Sequence, residues 1–193
     1  MRRQLAPFAL FFACGFVAAG AAQEDNFYPH TQERGRAAIE YQDEEIHVVA
    51  AYYYSQRHHD SPWLLIEAAV SAERVMDIQR NDIRLVMPDG REVPLASQRR
   101  FLQDLWRVRP LLQNASVTRH GIGGYFKGRD ESPMRFFALP FQGTVRDSVV
   151  VDQWRIGWGD LFFVSPTGLW EAGTYSLVVQ HEELQAALPI RLE

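Results

Sequence analysis

Polarity near the start of the chain is arranged in blocks. Arg2 and Arg3 precede an uncharged apolar run from Leu5 to Ala19, small residues follow through Ala22, and polarity returns with Gln23, Glu24 and Asp25. Basic, apolar and small in that order is the pattern of a secretory signal. The apolar run is about 15 residues, short of the ~20 that a spanning helix needs. The expectation is an exported protein, periplasmic or secreted, that loses residues 1–22 and keeps no stable membrane span. Cys14 lies inside this run without the flanking residues expected of a lipid-attachment site. Residues 23–37 lack an apolar period and hold Pro29 and Gly35, which reads as a flexible lead-in.

The rest, 38–193, reads as one domain dominated by strands. Ile46 to Tyr54 is rich in Val and Tyr, a polar turn spans 56–62, and Trp63 to Ser71 alternates, so the two runs form a hairpin. Glu73 to Gln79 is ambiguous. Ile83 to Met87 leads into Pro88-Asp89-Gly90 and returns as Arg91 to Leu95, a strand, turn and strand. The period then changes. Ser97 suits an N-cap, and Phe101, Leu105 and Val108 recur at spacings of four and three, predicting one short amphipathic helix over 98–108 that Pro110 stops. Residues 119–133 form a Gly-rich loop. Arg135 to Phe141, Ser148 to Trp158, Leu161 to Val164, Thr174 to Gln180 and Ala187 to Leu192 read as strands.

Trp170-Glu171-Ala172-Gly173-Thr174-Tyr175-Ser176-Leu177 resembles the penultimate strand of an immunoglobulin-like domain, where a tyrosine hydroxyl pins the corner to nearby backbone. The resemblance implies a mainly β, immunoglobulin-like antiparallel β-sandwich with one short helical insertion. Tyr175 would be the corner tyrosine and Trp63 the core tryptophan. Missing cysteines and the helical insertion depart from the pattern, and the likeness speaks to fold alone.

Composition narrows the chemistry. Removing residues 1–22 takes two of the 20 basic residues and none of the 24 acidic ones, leaving 18 against 24, or −6. That balance argues against nonspecific nucleic-acid binding. Cys14 is the sole cysteine, so the exported chain has no disulfide, catalytic thiol or thiolate metal site.

Five places invite a functional reading. His58, His59 and Asp60 could contribute to a metal site, although neighbours on a strand point to opposite faces and a further ligand such as Glu67 or His47 would be needed; a polar turn is the plainer reading. His181-Glu182-Glu183 lacks the second histidine of a zincin, since Gln185 stands there. Trp154 and Trp158 alternate with Ile156; exposed, they make a platform for sugar rings, with Tyr125 and Phe126 of the Gly-rich loop beside them, and buried, they fill a core. Arg99, Arg100 and Arg107 flank the helix stripe, as a solvated face or as contacts to anionic lipid. The Gly-rich stretch from His120 to Gly124 matches no phosphate or dinucleotide fingerprint and reads as a mobile loop that could carry binding. No nucleophile motif is present.

Export, strand-rich fold and the missing catalytic pattern give the leading expectation: a non-enzymatic module of the bacterial cell envelope that binds another envelope protein, with no cofactor and no nucleic acid. A carbohydrate-binding module using Trp154 and Trp158 is the alternative. A metal-dependent hydrolase at His58, His59 and Asp60 is the second.

Overall fold

The computed structural model describes residues 28–118 and 121–193. The signal-peptide reading with Cys14, and His120 of the Gly-rich stretch, lie outside them. The described chain is mainly β. Its strands are β1 (Thr31–Glu33), β2 (Ala38–Gln42), β3 (Ile46–Ala51), β4 (Trp63–Ala72), β5 (Met76–Gln79), β6 (Ile83–Val86), β7 (Glu92–Pro94), β8 (Asp130–Pro133), β9 (Ser148–Val151), β10 (Arg155–Val164), β11 (Gly173–His181) and β12 (Leu184–Leu192). Two helices, α1 (Gln98–Gln103) and α2 (Leu105–Thr118), lie between β7 and β8.

One sheet has six strands in the order β1-β2-β3-β4-β10-β8, a second has four, β12-β11-β6-β7, and β5 pairs with β9 alone. Pairing among the described strands is antiparallel except between β8 and β10. The two larger sheets share one buried cluster, in which Leu64, Ile66, Leu161 and Phe163 of the first join Leu85, Leu177, Val179, Leu188 and Ile190 of the second. Full burial of each such side chain favours folding by about 1.5–3 kcal/mol.

The other face of the six-stranded sheet carries a second layer. There Trp63, Leu65 and Phe162 pack under Phe101, Val108, Leu111 and Ala115 of the helices. Further along the same face, Ile122 and Phe126 cover Val49, Ala69 and Ile156. β4 and β10 are therefore apolar on both faces, which is why their sequences run nearly continuous rather than strictly alternating.

Several expectations are corrected. The segment up to residue 37 is not all lead-in, because Thr31–Glu33 pairs with β2 in register Thr31 to Tyr41. The helix does not stop at Pro110. It breaks at Asp104 and then runs to Thr118 with Pro110 inside it. Proline there, the sixth residue of α2, removes one i→i−4 hydrogen bond, while the buried stripe of Val108, Leu111 and Ala115 runs on across it. Residues 135–141 form no strand. Their alternation is real: Phe136 is buried between the sheets, and Phe137 and Leu139 face the helix cluster. No described strand pairs with them; distant side chains and local turn bonds take up their backbone groups, the Arg135 carbonyl accepting from the Arg146 N–H at 2.8 Å. The Gln98 amide donates to the Ala138 carbonyl at 2.7 Å and accepts from its N–H at 3.2 Å. Arg80 donates to the carbonyls of Phe136 and Ala96.

Tyr175 is buried, and its hydroxyl donates to the Glu171 carbonyl at 2.9 Å, pinning the corner before β11 as expected. Trp63 is fully buried but not between the sheets. It lies beneath the helices against Phe101 and Phe162, with its indole N–H donated to Asp104 at 3.1 Å. The aromatic packed against Tyr175 is Trp170, 5.6 Å away.

Candidate functional site

The outer face of the six-stranded sheet is polar only in places, and the main one is central. Glu67 of β4 and Asp160 of β10 stand directly opposite each other. Both are half-buried and both are already engaged by neighbouring groups. They fall between the cluster under the helices and the cluster under Ile122 and Phe126. Trp158 precedes Asp160 by two residues, so its ring shares that face, and it packs against the second cluster half-buried.

Two hollows meet here. One, of about 270 Å³, lies between α2 and the 134–142 segment, with Phe101, Leu112, Arg135, Phe137 and Gln142 around it. The other, of about 180 Å³, lies under Gly121–Gly123 with Glu67 and Glu131. Both are lined by Trp158, Gly159 and Asp160, so β10 forms a common floor. Glycine is required at Gly159, where a Cβ would sit 2.7 Å from the Met134 carbonyl oxygen; at Gly123 a Cβ would sit 2.9 Å from a carboxylate oxygen of Glu131, the end of a flexible side chain that can shift.

The wall over the second hollow is anchored. Ile122–Tyr125 forms a 3₁₀ turn, and Phe126 is buried against the His47 ring, centroids 4.2 Å apart. Arg129 donates to Ser71 and lies 5.8 Å from the Phe126 ring. Below, buried Glu40 accepts from Arg34 and lies 2.7 Å from His47 Nε2. Burial holds His47 below the ordinary imidazole value, outweighing the pull of Glu40, and Arg129 and Arg34 push the same way. The described part of the loop expected to be mobile, from residue 121 onward, is thus clamped to the six-stranded sheet by apolar and charged contacts.

The anticipated residues separate. Trp158, Tyr125 and Phe126 come together on one face: Phe126 as buried support, the other two half-buried. Trp154 does not share a strand with Trp158. It stands in the turn between β9 and β10, its N–H bonded to Asp152 at 2.8 Å, and is 69% exposed. The alternation that linked the two breaks at this turn. His58 stacks on Tyr54 and lies 3.0 Å from its carbonyl oxygen. His59 faces main-chain oxygens of Trp170 and Glu193 with its two ring nitrogens, at 2.9 and 2.8 Å, so neither ring nitrogen is directed outward beside Asp60. Among the described residues no group of three or more His, Cys, Asp or Glu is placed to hold a metal. His181 bonds Asp82 at 2.9 Å, beside the tight turn where His181 pairs with Leu184.

Sequence reading named Glu67 only as a possible further metal ligand and missed Asp160, Arg135 and Gln142. The available signal was Glu67 and Asp160 themselves, each the acid inside an otherwise apolar strand. Comparison with protein-family models, curated proteins and solved structures gives no match for this chain.

Proposed function

We propose that this is a non-catalytic module of the cell envelope that binds carbohydrate in the groove over β10. The carrying observation is Trp158 lining both hollows beside Asp160. An indole face offers an apolar surface for the C–H side of a sugar ring. Flanking carboxylates, Arg135 and Gln142 offer the acceptors and donors that hydroxyl groups require. A concave, mainly apolar site with a few placed polar groups is the usual form of a small-ligand site. In this reading the larger sheets are the layers of a β-sandwich, with the Tyr175 corner as its immunoglobulin-like feature. The consecutive order β2-β3-β4 within one sheet departs from the immunoglobulin strand order.

The test is calorimetric titration of the purified protein with a panel of soluble oligosaccharides. At least one class is expected to bind, and Trp158→Ala should weaken it roughly tenfold or more, as for a central aromatic anchor, while leaving the far-UV spectrum unchanged. A panel without binding, or binding untouched by Trp158→Ala, overturns the proposal. The reading of an envelope protein partner draws instead on exposed apolar side chains such as Phe141 and Leu169. Capture of one specific partner, abolished by Phe141→Ser, would favour it.

A further inference from the structure

The inward side of α2 is accounted for by Val108, Leu111 and Ala115. Its outward side is not solely polar. At 100° per residue, Trp106, Pro110, Gln113 and Val117 fall within about 60° of one another, opposite the buried stripe. All four are exposed, with Trp106 at 68% and Val117 at 86%. The ridge is about 16 Å long at the helical rise of 1.5 Å per residue. Arg107 and Arg109 flank it on either side, both exposed. The Arg107 guanidinium lies 4.4 Å from the Trp106 ring centroid. α1 adds exposed Leu102, Arg99 and Arg100.

Charge separates this face from the rest of the chain. Residues 97–118 hold four arginines and one acid, Asp104, for a balance of +3, while the whole chain is −4; the remainder is therefore −7. Asp104 is itself occupied by Arg100 at 3.0 Å and by the Trp63 indole.

We propose that the α1–α2 face docks on an anionic phospholipid surface. A tryptophan and aliphatic groups along a ridge between arginines is the arrangement of a helix lying in a membrane interface. Tryptophan favours that depth because its ring is apolar and its N–H is polar. The guanidinium groups meet lipid phosphates, and their stems lie along the apolar ridge. The surface charge of the leaflet supplies the complementarity that the +3 segment calls for and the acidic remainder opposes, which sets the orientation. The proposal is independent of the groove, which uses the inward residues Phe101 and Leu112.

The test is co-sedimentation of the protein, purified as the cell exports it, with phosphatidylcholine vesicles with and without 30% phosphatidylglycerol. Binding is expected to the anionic vesicles alone and to fall at high salt. Arg107→Gln and Arg109→Gln should each weaken it about fivefold, from roughly 1 kcal/mol per arginine near a charged surface. Trp106→Ser should weaken it too, while Trp158→Ala leaves it unchanged. All three substituted residues of the helix are exposed, so each variant should keep the wild-type melting temperature. No binding to anionic vesicles at low salt, or equal binding by wild type and the helix variants, overturns the proposal. So does binding lost equally in Trp158→Ala, which would place the lipid contact elsewhere.

Discussion

Pro140 and Phe141 form the centre of a turn that the Gln142 N–H closes by donating to the Leu139 carbonyl at 3.0 Å. Phe141 has a φ of 66°, the left-handed region that costs a side-chain-bearing residue about 1–2 kcal/mol. Its side chain returns nothing to the fold, since it is fully solvent-exposed at 107%. Asparagine tolerates this backbone well. Phe141→Asn should therefore raise stability by about 0.5–1 kcal/mol, some 2 °C in melting temperature for a chain of this size, read by thermal denaturation. Gln142 lines the larger hollow, so the strained aromatic stands at the groove rim. Strain held without structural return points to use, and the same variant should weaken any ligand that reaches the rim. His47 makes the complementary case inside the fold. Its ring is packed by Phe126 and faces Glu40, Arg34 and Arg129. Because the folded form holds its pKa below the unfolded value near 6.5, the unfolded chain binds the proton more readily. The contribution of His47 is then complete above pH 6.5 and lost as pH falls through that value toward the folded pKa. Melting temperatures measured from pH 8 to pH 5 should decline more steeply for wild type than for His47→Gln.

β3, β6 and β11 were legible from their alternation or their β-branched and aromatic content, whereas β1, β2 and β8 were not read as strands; the corner at Tyr175 was legible because its hydroxyl bond is local. What escaped notice depended on distant partners. Arg135 to Phe141 alternates like a strand, yet Gln98 and Arg80 take up its backbone from afar. Trp63 reads as a core tryptophan, but only the continuation of α2 past Pro110 shows that its side of the sheet is covered. The groove could not be read at all from spacing, because Glu67 and Asp160 are 93 positions apart and meet solely through the register of β4 with β10. Gly159 lets the chain at Met134 cross closely over β10. Gly159→Ala would force a methyl group against the Met134 carbonyl. Overpacking of this kind costs roughly 1–3 kcal/mol. Chemical denaturation should show that loss, and the groove should lose affinity with it because its floor and one wall move apart.

The two faces of the six-stranded sheet are unequally secured. Between the larger sheets the buried cluster draws side chains from most strands, and the long pairings of β4 with β10 and β11 with β12 hold its backbone. The helical cover is attached more thinly. α2 buries Val108, Leu111 and Ala115, exposes its opposite side, and lacks the N–H of Pro110. With Cys14 the sole cysteine, no intrachain disulfide ties the cover to the sheets. Local opening takes its free energy from the contacts it breaks, so thinly packed elements exchange first. Hydrogen exchange followed by mass spectrometry should show amides of α2 exchanging well before those of β4, β10 and β11. Leu112 lines the groove from α2, so a ligand bound there adds contacts that opening must break. Saturating ligand should then slow exchange in the second half of α2 and leave β11 and β12 unchanged. Uniform exchange across helix and sheets would instead mean that the cover and the core open as one cooperative unit, with the groove part of the core.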